Sequence, residues 1–116
     1  MGPASDAGVD PARLRELADA LHQTPQAVAL TLHDELLAAR ARIDAGLADR
    51  APETVVDGAH AARNSAAMVG ARSLLAELRA VEAAAGRGDL AAARAARERA
   101  EDELARLIEA LGQALA

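Results

Sequence analysis

Cysteine, phenylalanine, tyrosine and tryptophan are all absent from this 116-residue chain. Without cysteine there is no disulfide framework, no thiolate metal site and no thiol nucleophile. Without aromatics the core must be built from Leu, Ile, Val, Met and Ala. Lysine is absent as well, so all 13 basic residues are arginine. Valine and isoleucine are scarce, which argues against a β-sheet. No apolar run is long enough for a membrane span. Met1–Asp10 lacks the basic and apolar regions of a secretory signal, so a cytoplasmic location is expected. With 18 acidic residues the formal net charge is -5. That balance disfavours nucleic acid as a partner, because phosphate contacts need a basic stripe.

Alanine and leucine are what the chain has instead, at about three and one and a half residues in ten. Both are strong helix formers, and small alanines let helices approach closely. The length suits one domain. Residues 1–9 are small and polar and are expected to be a flexible N-terminus, with a helical bundle over 10–116. Asp10-Pro11 reads as N-cap and first helical residue, opening a short helix with Leu14, Leu17 and Leu21 on its apolar side. Thr24-Pro25 repeats the signal and opens a helix to about Ala48. Its stripe is Val28, Leu32, Leu36, Ala39, Ile43 and Leu47. Asp49-Arg50-Ala51 reads as a turn. Pro52 opens a third helical segment to about Ala85, with Gly58 and Gly70 inside it. Gly86-Arg87-Gly88 ends that segment, and Asp89 caps the last helix. The last stripe is Leu90, Ala93, Ala100, Leu104, Leu107 or Ile108, Leu111 and Leu115. The pattern alone therefore gives one short and three long helical segments, with short connections that favour antiparallel neighbours.

Three histidines are the candidates for chemistry. His22 sits at a helix end, where an imidazole can cap carbonyls. His33 lies between Leu32 and Asp34 and reads as a surface residue. Their spacing does not suit metal ligation. His60 has a different context. Val55, Ala59, Ala62, Ala66 and Val69 share the core side of its helix, so His60 is expected mid-helix and exposed, with Arg63 and Asn64 one turn on. An imidazole there can act as a nucleophile. A cation one turn away can steady negative charge on an attached phosphoryl group. The competing reading of the same residues is an ordinary surface histidine.

The run Ala59-His60-Ala61-Ala62-Arg63-Asn64, followed by Met68-Val69-Gly70-Ala71, resembles the signature of histidine-containing phosphotransfer (HPt) domains. Leu74, Leu75, Leu78 and Glu82 are similar to that family's leucine-rich continuation. Gly88-Asp89-Leu90 is similar to its turn into the last helix. The likeness covers the chain from about Pro11 onward. It implies an all-α, antiparallel up-down four-helix bundle with an additional short N-terminal helix, in which the segment from Pro52 to Ala85 splits in two.

The resemblance also implies a role in a bacterial two-component phosphorelay. His60 would accept a phosphoryl group from a receiver-domain aspartate and pass it to another receiver. Arg63 would replace the family's lysine beside the phosphoryl group, in keeping with a chain that has no lysine. Asn64 stands where the family has glycine, adding bulk where a receiver approaches, although its amide can also bond a phosphoryl oxygen. Gly70 matches the family glycine that lets helices bend or pack closely. The implied partners are a response-regulator receiver domain and a histidine kinase or hybrid kinase, with a monomeric chain. No cofactor of its own is implied; Mg2+ would sit on the receiver. There is no autonomous kinase or nucleotide site, since Gly86-Arg87-Gly88 lacks the residues of a phosphate-binding loop. Glu53 and Asp57, upstream of His60, either tune receiver choice or are simply solvated. Two competing readings remain: a phosphotransfer-inactive adaptor that binds a receiver or kinase, and a purely structural helical interaction domain.

Overall fold

The computed structural model describes residues 9–114. Of the N-terminus expected to be flexible, residues 1–9, all but Val9 lie outside the described residues, as does Leu115 of the last stripe; Val9 is partly buried against the core. Five helices follow in order: α1 (Pro11–Leu21), α2 (Pro25–Ala48), α3 (Pro52–Met68), α4 (Arg72–Gly86) and α5 (Leu90–Gln113). Three of their starts are capped by the residues the sequence nominates. Asp10 accepts from the Ala12 N–H, Thr24 from Ala27 and Asp89 from Ala92. Proline opens α1, α2 and α3, where a missing N–H costs no helical bond.

The third expected helical segment is two helices, and Gly70 is the reason. It adopts φ 74°, a left-handed conformation open to glycine at little cost. The Ala71 N–H reaches back to Ala66 O at 3.0 Å and the Gly70 N–H to Ala67 O at 3.2 Å. This paired pattern is the Schellman motif. Gly70 therefore neither bends a continuous helix nor packs against a neighbour; a Cβ there would meet nothing within 4 Å. The same motif closes every helix–helix connection. His22 (φ 56°), Arg50 (φ 54°) and Gly88 (φ 76°) are the left-handed residues of the other three turns. Gln23 N bonds Ala18 O, Ala51 N bonds Gly46 O and Asp89 N bonds Ala84 O, at 2.8, 2.8 and 2.9 Å. His22 thus ends α1 through its backbone, and the expected imidazole cap is replaced by its own N–H.

Turns this short reverse the chain. α2 packs on α3, α3 on α4, α4 on α5, and α5 returns to α2, while α1 lies on α2. The result is the antiparallel four-helix bundle with a short N-terminal helix. The bundle core is leucine and alanine, with Leu32, Leu36, Ile43, Leu74, Leu78, Leu104, Leu107 and Leu111 fully buried. All the expected stripe residues of α2 and α3 are buried; on α1, Leu14 is buried but Leu21 is 48% exposed. α5 turns both Leu107 and Ile108 inward. α2 and α3 come closest where glycines replace side chains. A Cβ on Gly58 would lie 2.9 Å from Ile43 N, and one on Gly46 would lie 2.8 Å from Val55 N.

Polar links tie the helices at the edges. Arg97 on α5 is buried, and its Nε donates to Asp44 Oδ1 on α2 at 2.9 Å, with Glu101 2.8 Å from Nη1. Burial pulls the Arg97 guanidinium down, but the hydrogen bonds and charges of Asp44 and Glu101 outweigh it and hold the group above its ordinary value. Arg94 donates to Leu47 O near the end of α2, and Arg13 of α1 to Met68 O at the end of α3. Among the described residues no helix is long and apolar enough to cross a membrane.

Candidate functional site

His60 stands midway along α3, on the side turned away from the core. The core side is held by Val55, Ala59, Ala62 and Ala66, all buried, so helical periodicity alone aims residue 60 outward. Ala61 and Ala67 beside it are exposed and small. The His60 side chain is 51% exposed.

The ring is tied at one nitrogen. Glu82 Oε2, on α4, lies 3.2 Å from Nδ1. Arg63 Nη2 lies 2.9 Å from the same atom. Arg63 Nη1 and Glu82 Oε1 are themselves paired at 3.3 Å. Both partners are partly withdrawn from water, Glu82 at 22% and Arg63 at 30% exposure, which strengthens charge-assisted hydrogen bonds. Nε2 has no hydrogen-bond partner among the described residues. When Nδ1 carries the hydrogen, Glu82 accepts it and Nε2 presents a lone pair. That is the tautomer in which an imidazole is a nucleophile at Nε2.

The geometry places Arg63 at Nδ1, against the carboxylate of Glu82. Its guanidinium is therefore on the side of the ring away from Nε2. Asn64 points elsewhere. It is exposed and lines a groove of about 340 Å³ between α2 and α3 with Glu35, Ala38, Arg42, Ser65 and Met68. Ser65 Oγ, buried in that groove wall, donates to Glu35 Oε1 at 3.4 Å. Glu53 and Asp57 are exposed on α3. His33 is half-buried with Nδ1 3.2 Å from Asp34 Oδ1, and neither it nor His22 joins the His60 cluster.

Glu82 is the site residue that the sequence reading left without a role. Local spacing brings Arg63 to His60, since residues three apart share a helix face. Glu82 arrives through tertiary structure: once the chain folds back at Gly70-Ala71, positions 60 and 82 stand opposite each other at equal distance from Ala71. The available signal was an acidic residue among alanines on α4 at that mirror position. No protein-family model matches the chain, and neither a curated protein nor a solved structure matches it.

Proposed function

We propose that this chain is a histidine phosphotransfer protein of a two-component phosphorelay. It takes a phosphoryl group from a receiver-domain aspartate onto His60 and passes it to another receiver. The observation that carries the reading is the engagement of Nδ1 by Glu82 and Arg63, which leaves Nε2 without a partner among the described residues on a half-exposed side chain flanked by exposed alanines.

The chemistry follows from that arrangement. The Nε2 lone pair attacks phosphorus, and the aspartyl oxygen leaves with its bonding electrons as a carboxylate. A helix holds the ring and Glu82 holds its tautomer, so little reorganisation is needed at the moment of reaction. Any divalent metal belongs to the receiver's own acidic pocket and would neutralise charge on the transferring group. The exposed alanines lower the surface around His60, and the α2–α3 groove beside Asn64 offers a second edge for the receiver to meet. A cytoplasmic location, a kinase upstream and a monomeric state belong to the same reading.

The test is a mixing experiment with a phosphorylated receiver domain. The wild-type chain should gain acid-labile, base-stable phosphate, and His60→Gln should gain none while keeping its helical circular dichroism. Tight receiver binding without label would make the chain an adaptor. Neither label nor binding, with every receiver tried, would leave only a structural bundle.

A further inference from the structure

Two partners of opposite kind compete for a single atom, and this carries a further assignment that rests on the phosphotransfer reading. Glu82 can only accept a hydrogen bond and Arg63 can only donate one. Both are within hydrogen-bonding distance of His60 Nδ1, at 3.2 and 2.9 Å. A ring nitrogen has either a hydrogen or an in-plane lone pair, so only one of these bonds exists at a time. We infer that Nδ1 of His60 is a proton toggle: Glu82 takes its hydrogen as the phosphoryl group arrives on Nε2, and Arg63 then donates to the bare nitrogen and preserves the phosphorylated form.

In the reactive state Nδ1–H donates to Glu82 and the Nε2 lone pair is free. Attack forms the Nε2–P bond, and the P–O bond to the donor carboxyl breaks with its electrons on oxygen. The ring is now cationic, with hydrogen on Nδ1 and phosphorus on Nε2. Glu82 accepts the Nδ1 proton and releases it to water. The neutral phosphoimidazole that remains has a lone pair on Nδ1, which accepts from Arg63 Nη2. Return transfer runs in reverse. A proton re-enters Nδ1 through Glu82, the ring becomes a better leaving group, and the receiver carboxylate attacks phosphorus while the N–P electrons return to Nε2.

The Arg63–Glu82 ion pair at 3.3 Å keeps both partners beside the atom they share. Asp57, one turn before His60 on α3, and Arg79, one turn before Glu82 on α4, are both exposed. On α2, Glu35 and Arg42 line the groove at Asn64. Arg63 therefore acts on the nitrogen opposite the phosphoryl group, as a positioning residue, in place of the phosphoryl contact that the family resemblance implies.

Nitrogen-15 NMR of the whole labelled chain tests this in two arms. The first needs no phosphate. At about pH 9, where an imidazole is neutral, Arg63→Gln should shift His60 toward the Nδ1–H tautomer and Glu82→Gln toward the Nε2–H tautomer. In the second arm phosphoramidate is the donor. Wild-type Nδ1 should lose its hydrogen on phosphorylation. Arg63→Gln should retain it and lose its phosphate about tenfold faster. Glu82→Gln should become phosphorylated at least about tenfold more slowly. Tautomer populations and phosphate lifetime unchanged in Arg63→Gln would overturn the toggle even if His60 is labelled normally. Shifted tautomers in a chain that no donor labels would overturn the phosphotransfer reading and, with it, the roles given to the toggle.

Discussion

Arg97 and Asp44 share a hydrogen-bonded ion pair but not its burial. The guanidinium is 10% exposed and the carboxylate 52%. Removing Asp44 takes the acceptors from Nε and Nη2 of the buried guanidinium and leaves it Glu101 alone, whereas removing Arg97 leaves two half-exposed carboxylates that water can solvate. Asp44→Ala should therefore cost about 1–3 kcal/mol. Arg97→Met, which fills the same apolar space, should cost less, about 1 kcal/mol or below. Denaturant unfolding of the two variants checks the order. The guanidinium's value is raised, so the stability that depends on its charge is fully present at all lower pH and is lost only in strong alkali; pH titration near neutrality should not resolve it. Neither this pair nor the Glu82–His60 contact was legible in the sequence. Both join residues far apart in the chain, and no local period records such a meeting. His60 and Arg63 were legible because their relation is one helical turn.

Among the helices, glycine marks two opposite situations. Gly58 is where α3 meets the backbone of α2, and a methyl group there would press on Ile43 N and on Ala39 O at 3.0 Å. Backbone atoms of a packed helix cannot step aside. Gly86 ends α4 with open space around it. Alanine gains about 1 kcal/mol of helix propensity over glycine in a helix interior, but overpacking costs about 1–3 kcal/mol. Gly58→Ala should therefore lower the melting temperature, while Gly86→Ala should leave it unchanged or raise it. Thermal unfolding followed by far-ultraviolet circular dichroism separates them. The helix starts were readable because proline and capping side chains announce them. The end of α3 was hidden from the pattern because its apolar period runs on through Leu74 and Leu78, and only the left-handed Gly70 interrupts it. The resemblance supplied that division where periodicity did not.

At the scale of the whole molecule, the four Schellman turns have a kinetic consequence. They let each long helix find the next one along the chain without closing a long loop. The interface of α2 with α5 is different, because it joins the two ends of the four-helix succession. Hairpin contacts are cheap in chain entropy and form early, and this last closure carries the larger loop. The Arg97–Asp44 link lies across that seam, so it should form after the rate-limiting step. Asp44→Ala is then expected to speed unfolding, about tenfold for each 1.4 kcal/mol lost, and to leave the refolding rate nearly unchanged. Stopped-flow circular dichroism is the measurement to use, since the chain has no tryptophan to fluoresce. The seam between the first and last long helices would act as the latch on a rapidly assembled bundle, setting how long the fold lasts rather than how fast it forms.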